Sequence, residues 1–204
     1  KLASLAEIYV NDAFSVSHRS HASIVGVPKF LPSYAGLLFR DEVKNLSLAL
    51  KPPHPFIFIL GGAKFETKLP LIEKFLKIAD KIFVGGALAN DIFKAKGLVV
   101  GKSLVSNRPI DFSNIISNRK IIFPDDLMIK TKKGCVVKNI NEVGGEDIIV
   151  DAGVKTILNF SKLLKEAKFI LWNGPLGLYE NGVKEGTLGL AKAPRHISIL
   201  PQDH

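Results

Sequence analysis

The stretch Phe56-Ile57-Phe58-Ile59-Leu60-Gly61-Gly62-Ala63-Lys64-Phe65-Glu66-Thr67-Lys68 decides how the chain reads. Its five unbroken apolar residues predict a strand covered on both faces, since a strand with one wet face would alternate. Two glycines close the run. Leu69, Ile72, Leu76 and Ala79 then recur at three- and four-residue steps, the period of a helix with one buried face. A strand thus feeds a helix through a glycine turn. Lys81 to Val84, closed by Gly85 and Gly86 and followed by a helical stretch to about Lys96, repeats the unit.

Further strand runs at Ile121 to Phe123, Ile148 to Val150 and Phe169 to Trp172 continue the alternation, with Thr156, Ile157, Phe160, Leu163 and Leu164 marking a helix between the last two. Alternating strands and helices with glycines at the strand ends predict an α/β fold with a doubly wound parallel sheet. Ligands of such sheets gather at the carboxyl ends of the strands, where the glycine pairs fall. Upstream the pattern changes. Ile8 to Phe14 predicts a short strand and turn, and Phe39, Val43, Leu46 and Leu50 share one face of a helix at about 35–50. Lys51-Pro52-Pro53 stops that helix, because proline lacks the backbone donor and restricts the residue before it. The expected division is residues 1–52 and 53–204.

At 47% hydrophobic and 23% charged the composition is that of a globular protein, not a disordered one. The apolar runs fall far short of the roughly 18–20 residues that cross a bilayer, so no membrane partner is expected. Cys135 is the single cysteine and cannot form an internal disulfide, which fits a reducing compartment. The net charge of +9 favours anionic ligands. Its basic residues are spread along the chain, and the cluster Lys130 to Lys133 reads as a short solvated loop. Interleaved aromatics for base stacking are lacking, so no nucleic-acid partner is expected. The chain opens on Lys1 and its only methionine is Met128, from which an upstream segment is expected.

Gly61 to Lys68 would place backbone donors, a positive helix end and two lysines around one point, which suits a phosphate. A tight turn is the other reading of the glycine pair, and spacing alone leaves both open. Gly97 to Ser103 resembles a phosphate loop but has three residues between its glycines where the motif needs four, and is rejected. No dinucleotide fingerprint is present. Asn11 to His21 packs polar and basic groups together, and Arg19 there could clamp an anion bidentately. His18 and His21 have no Cys or carboxylate to complete a metal set, so no metal site is expected. In Trp172 to Glu180 the glycines and proline predict a tight path that exposes Asn173 and Glu180; the Glu180 carboxylate either holds ribose hydroxyls or is simply solvated, and Trp172 reads as core.

Four segments in order along the chain resemble phosphoglycerate kinase: Tyr9 to Phe14 with His18 to Ser23, Ile59 to Lys64 with Lys68, Gly85 to Ala89, and Leu171 to Glu180. The resemblance implies a two-lobed kinase that moves a phosphoryl group between 1,3-bisphosphoglycerate and ADP, giving 3-phosphoglycerate and ATP in glycolysis, as a cytoplasmic monomer. Residues 1–52 would be the remnant of its phosphoglycerate-binding α/β lobe and 53–204 a Rossmann-like nucleotide lobe. By position, Lys64 and Lys68 would be catalytic and bind nucleotide, with Gly61, Gly62, Gly85, Gly86, Asn173, Pro175 and Glu180 completing the nucleotide site. Arg19 would bind phosphoglycerate, and Mg2+ would be carried by ADP or ATP. A noncatalytic nucleotide-binding module is the alternative.

Departures from the family pattern are also visible. Its first-lobe substrate motifs would lie before residue 1, and its Gly-Gly-Gly-Asp turn is replaced after the strand-like Ile197 to Leu200 by Pro201-Gln202-Asp203-His204. The aspartate role is therefore not carried to Asp203, and the chain alone is expected to be inactive as a kinase. Ser15-Val16-Ser17 and Ala87 are smaller departures.

Overall fold

The computed structural model describes residues 1–63, 65–106, 110–193 and 198–199. Two compact units are present, one holding Lys1–Lys51 and one beginning at Pro52.

In the first unit, β1 (Tyr9–Asn11) and β2 (Ser33–Ala35) pair in parallel, and α1 (Leu37–Ser47) follows directly. Asp12 caps α1 from a distance, its Oδ1 accepting from Phe39 N at 2.9 Å. Gly36 makes room for that carboxylate, since a Cβ there would stand 2.2 Å from Asp12 Oδ1. Asn11 Oδ1 accepts from Ala13 N at 3.0 Å, and the ring of Phe14 meets Phe39 edge-on at 5.5 Å. Asn11 to Phe14 therefore tie the strand to the helix.

The second unit is built on a five-stranded sheet. In chain order it contains β3 (Phe56–Leu60), α2 (Phe65–Leu76), β4 (Lys81–Val84), α3 (Gly86–Ala95), α4 (Ser113–Ile116) and β5 (Ile121–Ile122). Then come β6 (Leu127–Thr131), β7 (Gly134–Lys138), β8 (Ile148–Ala152), α5 (Val154–Glu166), β9 (Phe169–Asn173), α6 (Glu185–Ala191) and β10 (Ser198–Ile199). The sheet order is β10-β9-β3-β4-β5, and all its pairings are parallel. Every residue of β3 and β9 is buried, as central strands under helices on both faces require. Ile57, Ile59 and Phe83 pack with Phe160 and Leu164 of α5 and Leu190 of α6. Phe56 and Phe58 point to the opposite face, where their rings lie 5.7 and 4.4 Å from Phe75 of α2. The sheet is thus wound on both faces. Of the expected run Ile197 to Leu200, the described residues Ser198 and Ile199 pair with β9.

One expectation changes. Ile148 to Val150 does not extend the parallel sheet; β8 pairs antiparallel with β6 in a separate three-stranded sheet, order β7-β6-β8. A buried apolar run carries no label for its partner's direction. Lys130 is likewise a strand residue, leaving Lys132 and Lys133 as the tip of the β6–β7 hairpin between the paired Thr131 and Gly134. The small sheet closes over α3, with Ala89 and Phe93 packed against Leu127, Ile129 and Ile149.

Asp126, at the start of this small sheet, also anchors α5. Its carboxylate accepts from Lys155 N at 3.0 Å, Thr156 N at 2.7 Å and Thr156 Oγ1 at 2.7 Å, and a Cβ on Gly153 would stand 2.3 Å from it. Asp126→Ala leaves these donors unpaired and is expected to lower the unfolding free energy by about 1–3 kcal/mol in urea titration. The exposed Asp125→Ala should change it by no more than about 0.5 kcal/mol.

Candidate functional site at the strand switch

The chain runs from β3 outward through β4 to β5, then returns to the other side of β3 as β9. The strand order reverses between β3 and β9, and sheets of this kind bind ligands outside the carboxyl ends of the strands at such a reversal. Register sets which residues meet there, because Leu60 pairs with both Asn173 and Val84. Three strands therefore end level, and each is followed at once by glycine: Gly174, Gly61 and Gly85.

These loops are knitted through their backbones. Gly61 N donates to Asn173 O and Gly62 N to Pro175 O, both at 2.8 Å, while Gly85 N donates to Leu60 O at 2.8 Å and Leu88 N to Gly62 O at 3.2 Å. Side chains would not fit here. A Cβ on Gly61 would stand 2.1 Å from Pro175 O, on Gly174 2.4 Å from Gly61 O, and on Gly86 2.8 Å from Gly62 N. Gly174 and Gly86 also need left-handed backbone, at φ +85° and +61°. Gly62 differs: its φ is +92°, yet a Cβ would meet nothing within 4 Å. Its bare face looks onto open space beside the starts of α2 and α3, where the helix N-terminal ends favour negative charge.

Lys68, on α2, donates from its ammonium to Asn173 Oδ1. This corrects the expectation of an exposed Asn173: it is the last residue of β9, only 7% exposed, and its amide oxygen faces the lysine. Trp172 is core, as expected, and its Nε1 donates to Gly174 O at 2.7 Å, steadying the turn. Glu180 stands exposed on the turn Tyr179–Asn181. Lys64 and Asp203 lie outside the described residues. Arg19 is half-buried in the first unit. Among the described residues no group of three or more His, Cys, Asp and Glu could hold a metal ion. The rejected phosphate-loop match has a packing role, since a Cβ on Gly101 would stand 2.2 Å from Asp147 O.

Sequence reading missed Asp151, the residue after the run Ile148 to Val150. It is 3% exposed, and its carboxylate accepts from Gly186 N and Ala152 N at 2.8 Å each. Burial pushes its carboxyl above the ordinary range, against the pull of the Gly186 and Ala152 donors, and the charge of Glu185 adds to the rise. An acid closing an apolar run and followed by Ala152-Gly153 was the available signal.

The two kinds of glycine predict opposite mutational signatures. Gly174→Ala forces both an unfavourable φ and an overlap with Gly61, and should cost about 2 kcal/mol or more in chemical denaturation. Gly62→Ala should cost about 1 kcal/mol from φ alone, and instead weaken any anion that approaches its open face.

Comparison with known proteins agrees with this layout. A family profile described as phosphoglycerate kinase matches residues 1–199. The phosphoglycerate kinase of Coprothermobacter proteolyticus is 40% identical over 196 residues, covering 91% of this chain and 50% of that protein. That of Dictyoglomus turgidum is 38% identical over 216 residues, covering 98% and 54%. Among solved structures, the phosphoglycerate kinase of Coxiella burnetii superposes with a TM-score of 0.81 at 34% identity, covering 97% of this chain and 55% of that one. The Pyrococcus horikoshii phosphoglycerate kinase gives 0.82 at 29% identity, covering 95% and 52%. The chain spans about half the length of the relatives it matches. On a match running through nearly all of its residues, the chain belongs to the phosphoglycerate kinase family.

Proposed function

We propose that this chain supplies the nucleotide-binding lobe of a phosphoglycerate kinase, which transfers a phosphoryl group reversibly between 1,3-bisphosphoglycerate and ADP to give 3-phosphoglycerate and ATP. The observation that carries the reading is the convergence of Gly61-Gly62, Gly85-Gly86 and Asn173 to Pro175 at the strand switch, with Lys68 turned toward Asn173. Phosphoryl transfer asks little covalent chemistry of the protein and much placement of positive charge, so a lysine and helix N-termini suit it without a general base.

In this proposal the bare face of Gly62 admits the nucleotide phosphates, with Gly61, Gly85 and Gly86 bordering them. Asn173 holds Lys68 ready until the phosphates compete for its ammonium, and Pro175 fixes the loop through its carbonyl. Lys64 and Lys68 serve the phosphoryl in transit, and Glu180 binds the ribose. Residues 1–52 belong to the phosphoglycerate-binding lobe, where Arg19 binds the acyl-phosphate substrate. Magnesium arrives as the metal–nucleotide substrate. A monomer located in the cytoplasm completes the proposal; among the described residues, no helix is long and apolar enough to cross a membrane.

Calorimetric titration with ADP tests the pocket. Loss of a charge-assisted contact in Lys68→Ala, or of the ribose contact in Glu180→Ala, should weaken binding about tenfold or more in each case. Both variants should keep the circular dichroism of the parent. Affinity equal to the parent in both would place the nucleotide elsewhere.

A further inference from the structure

We propose that Asp151 is a positioning residue of the nucleotide site, whose buried carboxylate pins the Glu180-bearing loop to strand β8. The inference rests on the reading of Glu180 as the ribose ligand.

The loop is short and closed on itself. Val183 N donates to Leu178 O at 3.3 Å, Gly182 N to Tyr179 O at 3.0 Å and Tyr179 N to Gly177 O at 2.8 Å, so Glu180 rides at the tip of a tight turn. Left-handed Gly182, at φ +83°, closes it. Such a turn fixes its own shape but not its place in the molecule. Both of its flanks are instead held by consecutive residues of β8: Leu178 N donates to Val150 O at 2.9 Å, and Gly186 N to Asp151 Oδ2 at 2.8 Å. The second attachment depends on a side chain.

Chain packing is arranged around that carboxylate. A Cβ on Gly177 would stand 2.6 Å from Asp151 Oδ2, and one on Gly186 2.2 Å from Oδ1. Glycines thus bracket the loop on both sides of Glu180, and both are needed to let Asp151 in. A carboxylate that is 3% exposed is costly to bury, and the two backbone donors it satisfies are the compensation. Its carboxylate bonds to Gly186 N and Ala152 N, neither of which is assigned to the nucleotide, so its effect on the nucleotide would pass through the loop. Asparagine keeps the shape but has one oxygen, so either Ala152 N or Gly186 N would face an amide donor.

The test uses the full chain and two probes, ADP and 2′,3′-dideoxy-ADP, which lacks the ribose hydroxyls. The parent should bind ADP about tenfold more tightly than the dideoxy analogue. Asp151→Asn should bring that ratio near one while dideoxy-ADP affinity stays within about twofold, and should add nothing in a Glu180→Ala background. Gly186→Ala, whose Cβ would stand 2.2 Å from Asp151 Oδ1 and crowd the same carboxylate, should erase the ratio in the same way and serves if Asp151→Asn folds poorly. Equal weakening of both probes by these variants would make Asp151 a general stability residue and overturn the proposal. So would a ratio kept in Asp151→Asn but lost in Glu180→Ala. A parent that does not discriminate the two probes would instead remove the ribose reading itself.

Discussion

The structure depends on the seam between β3 and β9, where Gly61 N and Gly62 N donate to the carbonyls of Asn173 and Pro175. These strands are far apart in sequence, and their closeness is secured first by hydrophobic burial: Ile57, Ile59, Ile170 and Trp172 share one core with α5 and α6. Burial alone would not dictate how the chain leaves the sheet. The seam does, because two peptide groups must approach within hydrogen-bonding distance at a place where any Cβ on Gly61 or Gly174 would overlap the facing backbone. Glycine is required there on packing grounds, and the open surface beside Gly62 is the by-product. The candidate site is thus a consequence of how the central strands terminate.

Much of this was legible beforehand, for a physical reason. A doubly covered parallel strand must be apolar throughout, and its exit must turn sharply, so Phe56 to Gly62 and Lys81 to Gly86 carry their structure in their own residues. What escaped reading depended on partners distant in sequence. Asp126 caps α5 across 30 residues and Asp151 holds Gly186 across 35, and an isolated acid gives no sign of which helix it serves. The β6–β7 hairpin was hidden because its edge strand exposes Val136 and Val137 together, without the alternation of a half-buried strand. Asn173 was read as exposed because Gly174 and Pro175 suggested a loop, whereas the ladder to Leu60 extends the strand through it.

The motif residues sort by what they touch. Asn11, Asp12 and Phe14 spend their polar and aromatic groups on building the first unit, and Pro175 and the glycines act through backbone. Lys68 alone, among the described residues first singled out for phosphate chemistry, presents a mobile charge at the strand switch, and the amide of Asn173 holds it there. A lysine is a compact point charge on a flexible stem, which suits a group that must follow a phosphoryl in motion. The division of labour in the proposed reading is between a glycine seam that sets the floor and flexible lysine ammoniums that answer the ligand.

The most direct test is a crystal structure of this chain with ADP bound. The account predicts the phosphates over the open face of Gly62, between the ends of β3 and β9, with the Lys68 ammonium transferred from Asn173 Oδ1 to a phosphate oxygen. Phosphates bound away from that seam, with the Lys68–Asn173 hydrogen bond intact, would contradict it.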